Sequence, residues 1–283
     1  MTGRDMTGNA TSSTTSVPRR RRRVRRLRAP LTGAQGVLAA IGTFVVLIAI
    51  WAAVTLGGLV NPLFLPSPLD VVKALGEQAA DGSLASDIAV SVYRITVGYL
   101  IAVVMAVPLG VLMGVNGWAR SAVEPLMDFI RYMPVVAFVP LTIIWAGTDD
   151  LQKFLIIWMG TFFQLVLLVC DAVMQVPANL IEFGETLGLK RHEIVMRIVF
   201  PAAMPRIWDA LRVSLGWAWT WLVVAELVAA TSGLGYRITV SQRYFATDVI
   251  IGYVVVLGIL GLCFDQVMRA IGRHAFRKWE GRR

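Results

Sequence analysis

Residues 182–201, EFGETLGLKRHEIVMRIVFP, are the most polar stretch of a chain that is otherwise mostly apolar. Two acids, Glu182 and Glu185, precede a lone glycine, Gly188, and a basic pair, Lys190 and Arg191. Ile198 and Pro201 close the segment before a long apolar run, so Glu, Gly, Ile and Pro fall at relative positions 1, 7, 17 and 20. A helix started at Pro177 would place Glu182 and Glu185 in its positive N-terminal half. Gly188 can adopt positive φ, end that helix and turn the chain into a second one. Lys190, Arg191 and His192 then offer charge to an aqueous partner. A polar helix-glycine-helix loop at a membrane face suits a chain that passes force to a soluble motor. The plainer alternative is a solvated loop.

The rest of the chain sets the membrane class. Hydrophobic residues make up 57% of the 283 positions and charged residues 16%, well outside the usual soluble composition. Val37–Leu56 carries no charge and is long enough to cross a hydrocarbon core about 30 Å thick. Comparable runs cover Val90–Met113, Val123–Ala146, Phe154–Met174, Ile207–Ala230 and Asp248–Ile271. The expectation is an all-α membrane protein with six transmembrane helices, a transmembrane domain over 34–275 containing the loop 177–206, and basic tails at 1–33 and 276–283. The first of these tails, rich in Thr, Ser and Gly before its arginines, reads as disordered. Val37–Leu56 is longer than a signal-peptide core and is followed by further spans, so it reads as uncleaved.

The net charge of +9 does not point to nucleic acid. Nine of the 27 basic residues lie before Gly33 and six more in the last 15 positions, flanking membrane spans as the positive-inside rule requires. Anionic lipid heads are the natural contact of the N-terminal arginine run. With both termini inside, the cytoplasmic segments hold Arg120, Lys190, Arg191, Arg197 and Arg206 besides the tails. The other side holds Lys73, Lys153, Arg237 and Arg243, with Arg94 near the start of a span. Cys170 and Cys263 both lie in apolar runs and offer no disulfide or metal framework. His192 and His274 form neither a metal cluster nor a catalytic pair.

Several residues within the spans stand out. Ser67 is placed to cap a short amphipathic helix beginning at Pro68. Gly110 and Gly114 form one Gly-x-x-x-Gly, which permits close helix approach in lipid. In the third span, Met133-Pro134 and Pro140 predict a kinked or locally unwound helix with both prolines on one face. Asp128 and Arg131, three apart, can pair there. Trp217 and Trp221 share a face of the fifth span. Glu226 follows in an uncharged stretch, where an acid faces either a cavity or a structural partner. Met133, Pro134, Trp217, Trp221 and Glu226 are the candidates for lining or gating a route. Asp265 and Arg269 form an i,i+4 pair in the last span.

The spacing of Glu182, Gly188, Ile198 and Pro201 resembles the E-A-A-x3-G-x9-I-x-L-P loop of permease subunits of ATP-binding-cassette importers. Phe183-Gly184 replaces the two alanines and Phe200 the leucine. Arg131-Tyr-Met-Pro134 and Ala225-Glu226 look closest to the nitrate, sulfonate, taurine and bicarbonate branch. The resemblance covers roughly residues 35–275. It implies a type I importer permease with both termini cytoplasmic in the cell membrane and no cofactor. It also implies that Glu182, Glu185, Gly188, Lys190, Arg191, Ile198 and Pro201 lie at the contact with an ATPase dimer. An external binding protein and a second permease copy would complete the assembly. The sequence has no Gly-x4-Gly-Lys-[Ser/Thr], so ATP hydrolysis falls to another chain. The alternatives are a permease of the same class for a vitamin precursor or aromatic acid, and an ion-coupled secondary transporter, which usually has inverted repeats and more spans.

Overall fold

The computed structural model describes residues 33–280, and every regular element among them is helical. The N-terminal tail, up to residue 32, lies outside the described residues. α1, Gly33–Leu56, begins in one compact unit that ends at Ala49; the remaining elements belong to a second unit. Prolines 62, 66 and 68 keep the next stretch out of helix until Ser67 caps α2, Pro68–Ala80. Ser67 Oγ accepts from the Asp70 amide at 3.3 Å, and Asp70 Oδ2 accepts from the Ser67 amide at 3.2 Å. Both otherwise orphaned donors are thereby satisfied. The Ser67 hydroxyl and amide hold the Asp70 carboxyl below its ordinary pKa.

α3, Ser83–Val115, and α4, Gly117–Arg131, are separated by Asn116, whose side chain accepts from the Trp118 and Ala119 amides. The expected third span is not one kinked helix. α4 stops at Arg131, a 3-10 turn covers Val135–Phe138, and α5, Val139–Ala146, follows at 84° to α4. Pro134 disfavours helical geometry at Met133 and has no amide to donate, so the break falls there. Pro140 sits in the first turn of α5, where a missing amide costs nothing. The two prolines therefore do not share a helical face. Among the described residues five helices are long and apolar enough to cross a membrane, and counting this bent pair as one span brings the number to six.

α6, Asp150–Met174, leads through Pro177 to α7, Ala178–Thr186, and α8, Arg191–Ile194. A π turn over Val195–Val199 joins α8 to α9, Phe200–Ala229. Residues 191–229 thus form one continuous helical run, with Pro201 in the first turn of α9. The Phe200 amide bonds to the Val195 carbonyl, five residues back, and this widened turn accommodates the proline without ending the helix. α10, Leu234–Arg243, and α11, Thr247–Glu280, complete the chain, with α11 running through the first residues of the expected C-terminal tail.

α3, α6 and α9 form the centre. Ala102, Ala106 and Met113 from α3 meet Leu165, Val166 and Val169 from α6 and Ala203 and Ile207 from α9. Lipid offers no hydrophobic drive between helices, so close packing has to hold them. The Gly-x-x-x-Gly pair does this directly. A Cβ on Gly110 would come within 2.7 Å of Val169 Cβ, and one on Gly114 within 2.6 Å of Val173 Cβ. Outward residues such as Leu100 and Val104 on α3 and Ile259 and Leu262 on α11 are exposed and apolar, as a lipid-facing surface requires. α3 and α6 run parallel, meeting at Arg94 and Asp150 near their starts and at Gly114 and Val173 near their ends, and α9 runs antiparallel to both, so one end of the bundle carries Asp87, Arg94, Asp150 and Glu226. The other carries Val115, Met174 and the 177–206 segment.

Candidate functional site

At the 177–206 end, Gly188 has φ +71°. Its amide bonds to the Glu185 carbonyl at 2.9 Å, and the Leu189 amide bonds to the Gly184 carbonyl at 3.2 Å. These two bonds make a Schellman closure of α7 with glycine in the left-handed position. Gly184, the substitute for an alanine, is buried, and a Cβ there would lie 2.7 Å from Ile198 Cδ1 and 3.1 Å from Ile194 Cγ1. Gly184 therefore sits in the helix because the helical run after the turn packs onto it through Ile198. Glu182 and Glu185 do not occupy the N-terminal half as expected. Pro177 is extended at φ −61°, ψ 133° and serves as cap, so the nine-residue helix places the acids at its middle and last turn. Both are exposed beside exposed Phe183 and Leu187. Lys190 donates its amide to Glu193 Oε2 at 2.9 Å, and Arg191 reaches the Val115 carbonyl at 3.4 Å, tying the segment to α3.

Deeper in the bundle, a cavity of about 400 Å³ is lined by Met133, Pro134, Trp217 and Trp221. Arg131, Gly160, Phe163, Gln164 and Thr220 are among the other residues that line it. Trp221 lies flat against α6 because position 160 has no side chain; a Cβ there would stand 2.2 Å from the indole. The break at Pro134 puts Met133 and Pro134 on the cavity rim instead of in a helix. Arg131 is engaged by Asp128 at 3.0 Å, and its guanidinium lies 4.9 Å from the centre of the Tyr132 ring.

Glu226 does not line that cavity. It is 1% exposed and sits at the opposite end from α7. Ser91 Oγ lies 2.9 Å from both of its oxygens, Arg94 Nη1 donates to Oε1 at 2.9 Å, and the Gly235 amide donates to Oε2 at 2.9 Å. Arg94 also donates from Nε to Asp150 at 2.7 Å and from Nη1 to the Ser232 carbonyl at 2.6 Å. Asp87 accepts from the Gly233 amide at 3.1 Å, from Arg237 Nε at 2.9 Å and from Tyr253 at 3.2 Å. Lys153 donates to the carbonyls of Thr148 and Ala229. The charges balance inside the cluster, and α3, α6, α9, α10 and α11 all contribute.

Residues 106–278 match the family model of the binding-protein-dependent transport system inner membrane component. An ABC transporter permease protein of Brucella abortus (strain 2308) is 37% identical over 85% of this chain and 94% of its own length. The taurine transport system permease protein TauC of Escherichia coli (strain K12) is 33% identical over 87% of this chain and 90% of its own. The chain belongs to this family of ABC transport permeases. A solved structure of the inward-facing methionine ABC transporter MetNI shares the fold with TM-score 0.59 and 22% identity, over 65% of this chain and 92% of that one.

The permease is thus an inner-membrane transport component with the type I importer fold. Four residues named from the sequence as pathway candidates, Met133, Pro134, Trp217 and Trp221, line this cavity, as does Gln164, legible in the sequence as a polar group of the spans. Sequence reasoning missed Gly160, which has no side chain to mark it. It also missed Ser91 and Arg94 as partners of Glu226, and Asp87 and Asp150 as the acids that complete the cluster through Arg237 and Arg94. One signal for these was present: Asp87, Ser91 and Arg94 recur at i, i+4 and i+7 on α3, a polar stripe on a membrane helix. Asp265 pairs with Arg269 as expected, at 2.8 Å, and also with Arg212 at 2.5 Å.

Proposed function

We propose that two copies of this permease form the transmembrane pathway of an ATP-driven importer. The α7-Gly188-α8 segment of each copy docks in a groove of an ATPase dimer, and an external binding protein delivers solute at the end carrying Glu226. The observation that supports this best is the Schellman turn packed by Gly184 against Ile198. It makes a rigid knob whose outward face mixes Glu182, Phe183, Glu185 and Leu187, and it is continuous with a helical run ending beside the Glu226 cluster. A push on the knob therefore moves a helix that crosses the whole bundle. Both termini lie on the ATPase side, in keeping with the basic residues of the flanking segments. One chain of six spans cannot both surround a route and seal it at two faces, which favours a symmetric pair. The permease itself hydrolyses nothing.

The solute is a small anion of the sulfonate, nitrate or bicarbonate kind. TauC similarity favours this, and Arg131, Gln164 and Thr220 supply polar groups to a cavity otherwise walled by Trp, Phe and Met. A strain lacking this gene should lose uptake of labelled taurine, with alkanesulfonates competing in the parent. Uptake of all the anions tested at parental rates in the deleted strain would reject the solute class. A purified complex with one permease chain per two ATPase chains, and no second type of permease, would reject the symmetric pair.

A further inference from the structure

A second cleft, about 650 Å³ in volume, opens between the first turns of α9 and the last turns of α11. Four arginines line it, Arg206, Arg212, Arg269 and Arg273, with one acid, Asp209. Asp265 anchors two of them, accepting from Arg212 Nε at 2.5 Å on one oxygen and from Arg269 Nη2 at 2.8 Å on the other. One carboxylate thereby sets two guanidiniums side by side and neutralises only one. Arg206 donates from Nη1 to the Gln175 carbonyl at 2.8 Å, which fixes its position and leaves its charge uncompensated. Arg273 has no ion pair among the described residues. Four cations thus face two anions, and three of the cations are already held in place.

The cleft lies at the boundary of the hydrocarbon. The apolar run of α9 begins at Ile207 and that of α11 ends at Ile271, between Arg206 and Arg273. Trp208 donates from Nε1 to the Met268 carbonyl at 2.9 Å, and its ring meets Phe276 edge-on at 6.3 Å. An indole anchored this way marks a membrane-water interface. A free inorganic anion would use the guanidiniums and leave this aromatic wall idle. A lipid uses both, with its phosphate among the arginines and its glycerol and upper acyl chain along Trp208 and Phe276. Guanidinium forks also match phosphate oxygens two at a time.

We propose that this cleft binds the phosphate of one anionic phospholipid headgroup per permease chain. The site is separate from the solute cavity and borders the start of α7 through Pro177 and Leu180, and it makes the position of α9 against α11 sensitive to the charge of the surrounding leaflet. Basic pockets between membrane helices are known to take such headgroups.

The test is native mass spectrometry of the intact transporter in mixed micelles of phosphatidylglycerol and phosphatidylcholine. The wild type should retain phosphatidylglycerol with a preference that falls roughly tenfold or more in Arg269→Gln/Arg273→Gln, the size expected for two lost cations. Arg273→Gln alone removes no internal partner, so it keeps the fold and should show part of the loss, while Arg273→Lys should restore the preference. Equal retention by wild type and double variant would overturn the proposal. So would displacement of the lipid by millimolar inorganic phosphate, which would make the site one for a free anion. Release of the ATPase in the variants at unchanged lipid retention would assign the arginines to that protein contact instead.

Discussion

The two ends of the bundle are built on opposite principles. At the Glu226 end, charges are buried and paired across elements more than a hundred residues apart in sequence, as in Ser91 to Glu226 and Arg94 to Glu226. At the α7 end the charges are exposed, and the fixed geometry comes from one glycine turn and one apolar contact, Gly184 on Ile198. A buried ionic cluster is costly to disturb and has few alternative arrangements. A knob held by a turn and a methyl contact can be pushed as a unit. Under the proposed function, the first end would hold the helices together and the second would receive the force.

Arg94→Ala tests this contrast most severely. It leaves Glu226 buried without its cation, at a cost of about 3–5 kcal/mol, and should sharply reduce the assembled complex recovered from membranes. Glu226→Gln keeps the shape and some of the hydrogen bonds. It should lower assembly less, while each surviving complex transports at the wild-type rate. Altered transport with normal assembly in that variant would put Glu226 back on the solute route.

Gly184→Val comes next. Its Cβ meets Ile198 at 2.7 Å, and such overpacking costs about 1–3 kcal/mol. Transport should fall, and Ile198→Ala in the same chain should recover part of it; no recovery would mean that the contact does not set the loop geometry. Gly160→Ala acts at neither end. It should drive Trp221 into the cavity and raise KM for bulky solutes more than for small ones, as competitive uptake would show. A uniform change across solute sizes would separate the cavity from selection. Asp128→Asn should do least. Its pair with Arg131 is partly exposed and is worth roughly 0–1 kcal/mol, so neither thermal midpoint nor uptake should move measurably.

These differences also explain what could be read from sequence. The helices were legible because membrane crossing demands long uncharged runs, and the turn at Gly188 because only glycine readily takes positive φ. The capping of α2 by Ser67 was local and equally plain. The break at Met133-Pro134 was visible only as a kink, since a proline marks where a helix fails and not the 84° to which the next one turns. The Glu226 cluster was hidden because its partners come from α3, α6, α10 and α11, and pairings across such separations are set by tertiary packing. Ile198 was noted for its spacing, but the need for a small residue opposite it emerged only when Gly184 was seen beneath it.

The measurement that bears most directly on force transfer through α7 is ATP hydrolysis by the reconstituted transporter carrying Gly188→Val, with and without loaded binding protein. A Cβ at this position meets nothing within 4 Å, so the main effect is backbone strain at φ +71°, of about 1–3 kcal/mol. The account predicts near-normal amounts of assembled complex, a thermal midpoint lowered by only a few degrees, and a loss of most of the hydrolysis stimulated by the binding protein, together with uptake. Full stimulated hydrolysis and full uptake in that variant would contradict it.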